Sequence, residues 1–166
     1  FEQQDPTDIS PAAFLATARG LPKLTDIHIP KGSTMGGPGF YVDLSRATTI
    51  LTTLEISDDD ATDACVAAAC RHLRLTHLAL RGCGDLTSSV VESITSGQAA
   101  GTLTRLVIKH CAEEPEDPGS NPLRAVDVLR LLTGCPKIDS FSWYCDRELH
   151  EYAELDEGPC KAIVEL

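Results

Sequence analysis

The stretch 75–87, LTHLALRGCGDLT, decides how the rest of the chain is read. Leu75, Leu78 and Leu80 stand at i, i+3 and i+5, and Cys83 follows three residues later. The last two leucines, two residues apart, alternate with the polar side as a half-buried strand requires. Working outward, the same spacing recurs in LTDIHI from residue 24, LTTLEI from 51 and LTRLVI from 103. A degenerate fifth copy, IDSFSW, starts at 138 and puts Trp143 at the third apolar position, hence in the core. The starts at 24, 51, 75, 103 and 138 give intervals of 27, 24, 28 and 35.

Between these strand signals lie segments with helical spacing. AAFLATARG (12–20) ends at Gly20, and DACVAAACRHL (63–73) aligns Cys65, Ala69 and Leu73 on one stripe. TSSVVESITSG (87–97) opens with Thr and Ser as caps and turns Val90, Val91 and Ile94 inward. In NPLRAVDVLRLLTGCP (121–136) Pro122 sits in the first turn, and Leu123, Val126, Leu129 and Leu132 form the expected apolar stripe. GFYVDLSRATTI (39–50) predicts a short helix over 43–49. Each unit is thus a strand, a turn and a helix. The fold class is α/β: a solenoid whose stacked units share a core that no single unit could bury.

The best unit resembles the cysteine-containing subtype of the leucine-rich repeat superfamily, L-x-x-L-x-L-x-x-C-x-x-[IL]-T. Leu75, Leu78, Leu80, Cys83, Leu86 and Thr87 match it, and Leu103, Leu106, Ile108 and Cys111 repeat its first half. Cys135-Pro136 ahead of Ile138 and Phe141 resembles that subtype's helix-to-strand joint. The first two units lack the cysteine, 30–39 is a Gly/Pro-rich loop, and 112–122 is an acidic insertion. The resemblance implies a short curved arc of about five strand–helix units with a parallel sheet on its concave face. The organisation expected is an N-terminal capping helix region over 1–20, repeats over 21–146, and a C-terminal cap or tail over 147–166.

In that arc Cys83 and Cys111 point inward where the chain leaves the strand and bond to neighbouring loop backbone. Cys65 and Cys70 are read as core packing. The seven cysteines form no C-x-x-C pair, so reduced thiols and a cytoplasmic or nuclear setting are expected. Cys135–Cys145 and Cys145–Cys160 stay open as alternative disulfide pairings for an extracellular chain. The Cys and His residues are too scattered for a zinc site. His110 and Cys111, adjacent on a strand, face opposite ways and make a poor catalytic pair. DDDATD (58–63) lacks the Gly and terminal Glu of a helix–loop–helix calcium site. No cofactor and no catalytic or metal residue is assigned.

The side chains between the core positions fall into columns on the concave face: Asp26, Thr53, His77, Arg105 and Ser140; His28, Glu55, Ala79, Val107 and Ser142; Pro30, Ser57, Arg81, Lys109 and Tyr144. The small residues Ala79, Val107, Ser142, Ser57 and Ser140 are expected to leave this face accessible. His77, Arg81, Arg105 and Lys109 gather on its third and fourth strands, in a chain of formal net charge −11. That pattern points to a protein partner with an acidic segment, with Tyr144 as an aromatic anchor and His28 and Glu55 alongside. The acidic charge disfavours nucleic acid, and no apolar run reaches the ~18 residues of a membrane span.

The function expected is non-enzymatic protein recognition. The resemblance implies the substrate-recognition part of an F-box-type ubiquitin ligase receptor. The alternative is a scaffolding subunit that uses its flanks or open ends. The opening FEQQDPTDISP has neither Met nor an apolar leader, so a fragment or processed chain is expected, with room for an F-box, a signal peptide or further repeats before Phe1.

Overall fold

The computed structural model describes residues 9–33, 35–58, 60–83, 86–110, 125–145 and 161–165. Five strands run β1 Asp26–Ile29, β2 Thr53–Ile56, β3 His77–Arg81, β4 Arg105–His110 and β5 Ser140–Cys145. They lie side by side in chain order, every neighbour parallel. A last strand, β6 Lys161–Glu165, pairs antiparallel with β5. The strands alternate with helices α1 Pro11–Arg19, α2 Pro38–Ala47, α3 Asp63–His72, α4 Val90–Thr95 and α5 Ala125–Gly134; a 3-10 turn, Gln98–Gly101, follows α4. The protein is α/β, with a five-stranded parallel sheet interleaved with helices.

The repeated leucines explain the register. Ile27, Leu54, Leu78, Leu106 and Phe141 are Cα partners across the parallel strands, and so are Ile29, Ile56, Leu80, Ile108 and Trp143. Slipping one strand by one residue would turn its apolar set to the other face. All these side chains are buried except Trp143, which is partly buried against the core. Leu51, Leu75, Leu103 and Ile138 add a third buried column just before the strands.

The helices stack in the same order, α1 on α2 and so on to α5. Close stacking needs small residues, and α3 buries Cys65, Ala68, Ala69 and Cys70 beside Val66. Two glycines are set by close approach: a Cβ on Gly97 would stand 2.3 Å from the Cys70 carbonyl oxygen, and one on Gly134 would stand 2.5 Å from Thr95 Cγ2. Carboxylates tie the layer together as well. Asp63, in the first turn of α3, accepts the Thr87 amide at 3.1 Å and its hydroxyl, joining consecutive units. Buried Asp58 accepts the Asp60 amide at 3.1 Å.

Two expectations are corrected here. The second helix starts at Pro38, not near 43. Gly36 and Gly37, at φ +77° and +80°, bring the chain round, and Pro38 opens the first turn with its fixed φ. In α5 the expected stripe is wrong: Val126 and Leu129 are exposed, at 47% and 65%, while Leu131 and Asp127 are buried and Val128 and Leu132 are partly buried. Residues spaced by three drift backward by about 60° per step on a helix of 3.6 residues per turn. The set 123, 126, 129, 132 therefore winds half-way round, while 128, 131 and 132 stay on one face. Leu123 and Pro122, the acidic insertion, Cys111 and the tail from 146 to 160 lie outside the described residues.

Gly97→Ala should lower the urea midpoint by the equivalent of about 1–3 kcal/mol, because the added methyl meets backbone that cannot step aside. Gly101→Ala, with nothing within 4 Å, should change stability by less than about 0.5 kcal/mol.

Candidate protein-binding face

The helices cover one face of the sheet, and the polar columns stand on the other. Asp26, Thr53, His77, Arg105 and Ser140 are successive Cα partners, followed by the row His28, Glu55, Ala79, Val107 and Ser142. Arg81, Lys109 and Tyr144 complete the third row on β3 to β5. The structure thus brings His77, Arg81, Arg105 and Lys109 to one face of two adjacent strands. Glu55 and His28 lie one and two strands to the side, on β2 and β1. Tyr144 holds its place in the row; its side chain lies outside the described residues, as do the His110 side chain and Cys111.

What keeps this face in register is a feature the sequence reading passed over. The Leu that opens each of the first four units is followed by Thr: Thr25, Thr52, Thr76 and Thr104. The Thr25 carbonyl accepts the amides of Thr52 and Thr53, both at 2.9 Å, and the Thr52 hydroxyl at 3.3 Å. The Thr52 carbonyl accepts the amides of Thr76 and His77 at 2.8 and 3.0 Å and the Thr76 hydroxyl at 3.3 Å. The Thr76 carbonyl does the same for Thr104 and Arg105, and the Thr104 carbonyl accepts the amides of Asp139 and Ser140. Each rung sits immediately before a residue of the first polar row. The signal in the sequence is the repeated Leu-Thr pair. At the far end of β3, buried Cys83 donates its thiol to the Ile56 carbonyl at 3.6 Å, one unit back. The cysteine is therefore a tie between units, as expected of it.

Charge is unevenly shared across the face. β1 and β2 carry Asp26 and Glu55; β3 and β4 carry the basic residues. Arg81 Nε donates to Glu55 Oε1 at 2.7 Å across the β2–β3 boundary. His28 Nε2 lies 3.9 Å from the same carboxylate oxygen and 3.4 Å from Ser57 Oγ. Asp26 accepts the Thr25 hydroxyl, and bonds from Thr25 and then Thr53 hold its carboxyl below the usual range. Arg105 is exposed and has no ion-pair partner among the described residues. Partial burial, then the Arg105 charge, push the half-buried His77 imidazole below its usual pKa, against an opposing pull from Glu55.

One expectation about access is corrected. Ala79 and Val107 are 1% and 4% exposed, so they do not open the face to a partner. Ala79 is in register with Glu55 and two residues from Arg81, and the ion pair between those side chains brackets its methyl. The long Glu55 and Arg81 side chains shield the short one beside them. The accessible chemistry is the charged rim.

Among the described residues no group of three or more His, Cys, Asp or Glu is placed to hold a metal ion. Cys65, Cys70 and Cys135 are buried free thiols, and burial raises Cys70 to about 12 and Cys135 to about 11, which keeps both protonated. No described helix is long and apolar enough to cross a membrane.

His77 should titrate below 6.5 in an NMR pH series, and Arg105→Gln should move it upward without restoring it fully, since burial remains. The sign for stability follows: the unfolded chain takes up this proton first, so folding weakens as pH falls below about 6.5. His77→Gln should flatten that part of the stability profile.

Comparison of the chain with models of known protein families returns no match, and comparison with curated proteins returns none either.

Proposed function

We propose that this chain is a short leucine-rich-repeat arc of the cysteine-containing type and acts as a non-enzymatic recognition module. It binds an acidic segment of a protein partner across the outer faces of β3 and β4. The observation that carries the reading is the placement of Arg81, Arg105 and Lys109, with His77, in register on two neighbouring strands of a chain with net charge −11. Concentrating cations on one face of an acidic molecule favours acidic partners there and repels them elsewhere. The resemblance of 75–87 to the cysteine-containing repeat extends the reading to substrate recognition within an F-box-type ubiquitin ligase receptor. The buried free thiols support a reducing, cytoplasmic or nuclear setting.

A second reading, a scaffolding subunit, is favoured by the opposite side of the molecule. Val126 and Leu129 are exposed in a groove between α4 and α5 that Glu92, Thr95 and Arg130 also line. The two readings separate in one experiment. Reversing Arg81, Arg105 and Lys109 together to Glu should weaken partner capture at least about tenfold if the sheet face binds. Leu129→Asp should leave that capture unchanged. Unchanged binding by the charge-reversed protein, with its unfolding midpoint retained, would reject the sheet-face reading.

A further inference from the structure

The outer face of β3 and β4 is corrugated. His77 and Arg105 form one row, Ala79 and Val107 the next, and Arg81 and Lys109 the third. Rows lie about 6.7 Å apart along a strand, and partners within a row about 4.8 Å. The middle row is two short, buried apolar side chains. Two basic rows therefore flank a low apolar floor. That floor is closed to a partner, so an acidic side chain reaching this face meets the cations of the flanking rows. On the third row Arg81 is already drawn to Glu55. On the first row Arg105 is exposed and has no ion-pair partner among the described residues, and His77 is its immediate neighbour.

His77 feels charges from four strands: Asp26 on β1, Glu55 on β2, Arg81 on its own strand and Arg105 on β4. Burial and the two arginines outweigh the two carboxylates and keep the ring neutral at pH 7. A carboxylate arriving beside Arg105 reverses that balance. It offsets the Arg105 charge and adds a negative charge next to the ring. The imidazolium has an N–H on both nitrogens, so the protonated ring can donate to the newcomer from either one.

We propose that His77 and Arg105 form a two-pronged seat for a side-chain carboxylate of an acidic protein segment, and that filling the seat draws a proton from solvent onto His77. The proposal rests on the reading that this face binds an acidic segment, and it adds the residues of the seat and its coupling to pH. By linkage, the segment binds more tightly as pH falls, with a one-proton limit of about tenfold per pH unit.

The probe is an acetylated, amidated hexaglutamate peptide, whose side chains stay ionised above about pH 6. Calorimetry near pH 6.5 in two buffers of different ionisation enthalpy reads the protons taken up. The expected results are net uptake and an affinity at least about threefold higher at pH 6.0 than at 7.5. Arg105→Gln should weaken binding at both pH values, while His77→Gln should bind without the pH dependence. An NMR titration of His77 in the wild-type protein, with and without peptide, makes the same test without a substitution: its midpoint should rise on binding. Binding with no proton uptake, or a pH dependence that persists in His77→Gln, overturns the seat and leaves the acidic-segment reading standing. Failure of hexaglutamate to bind the wild-type chain overturns both.

Discussion

The outer face depends on one constraint, the shared register of five parallel strands, and that register is fixed at a carbonyl. In each of the first rungs a threonine carbonyl accepts two amides and a hydroxyl from the next unit. One such bond contributes only about 0.5–1.5 kcal/mol net. Its value here is geometric, because two consecutive amides aimed at one acceptor allow one alignment of the strands. The buried apolar columns then reward the same alignment, since a one-residue slip would carry leucines to the polar side. Hydrogen bonding and packing agree, so positions 24 to 35 residues apart in the chain become neighbours on the sheet.

That alignment turns a scattered set of charges into a pattern. His77 and Arg105, and Arg81 and Lys109, are distant in the chain and adjacent on the sheet. The acidic residues separate by role. Asp58 and Asp63 bind backbone and hydroxyl groups around the third helix, Asp26 is held by two threonines, and Glu55 engages Arg81. The net charge of −11 is therefore not spread evenly over the surface, and the sheet face over β3 and β4 is locally basic. His77 reports that local field, since its neighbouring arginines and its burial together oppose protonation.

Legibility varied by element. The strands could be located because the apolar spacing i, i+3, i+5 recurs five times, and repetition removes the ambiguity of any single short run; each strand starts two residues after the leucine or isoleucine that opens its unit. The polar columns followed from the strands. The fifth helix was misjudged in its facing because a spacing of three imitates a stripe over two steps and then leaves the face. The start of the second helix was hidden by Gly36 and Gly37, which look like loop residues until their positive φ is seen to set up Pro38. The threonine rung was printed four times in the sequence, but its role needs the neighbouring carbonyl to be visible.

By itself the sequence determined an α/β chain in which strands alternate with helices, the repeated strand residues that face the core, and the order in which polar side chains alternate with them. These are local properties, set by a period of two in strands and 3.6 in helices. Tertiary structure alone decided which of the polar residues can meet anything. Ala79 and Val107 are small and outward in the sequence, yet buried in the fold. Arg81 is one basic residue among fourteen Lys and Arg in the sequence, yet tied to Glu55 in the fold. Burial and electrostatic balance are sums over neighbours on other strands, and the identity of those neighbours exists only once the register is made.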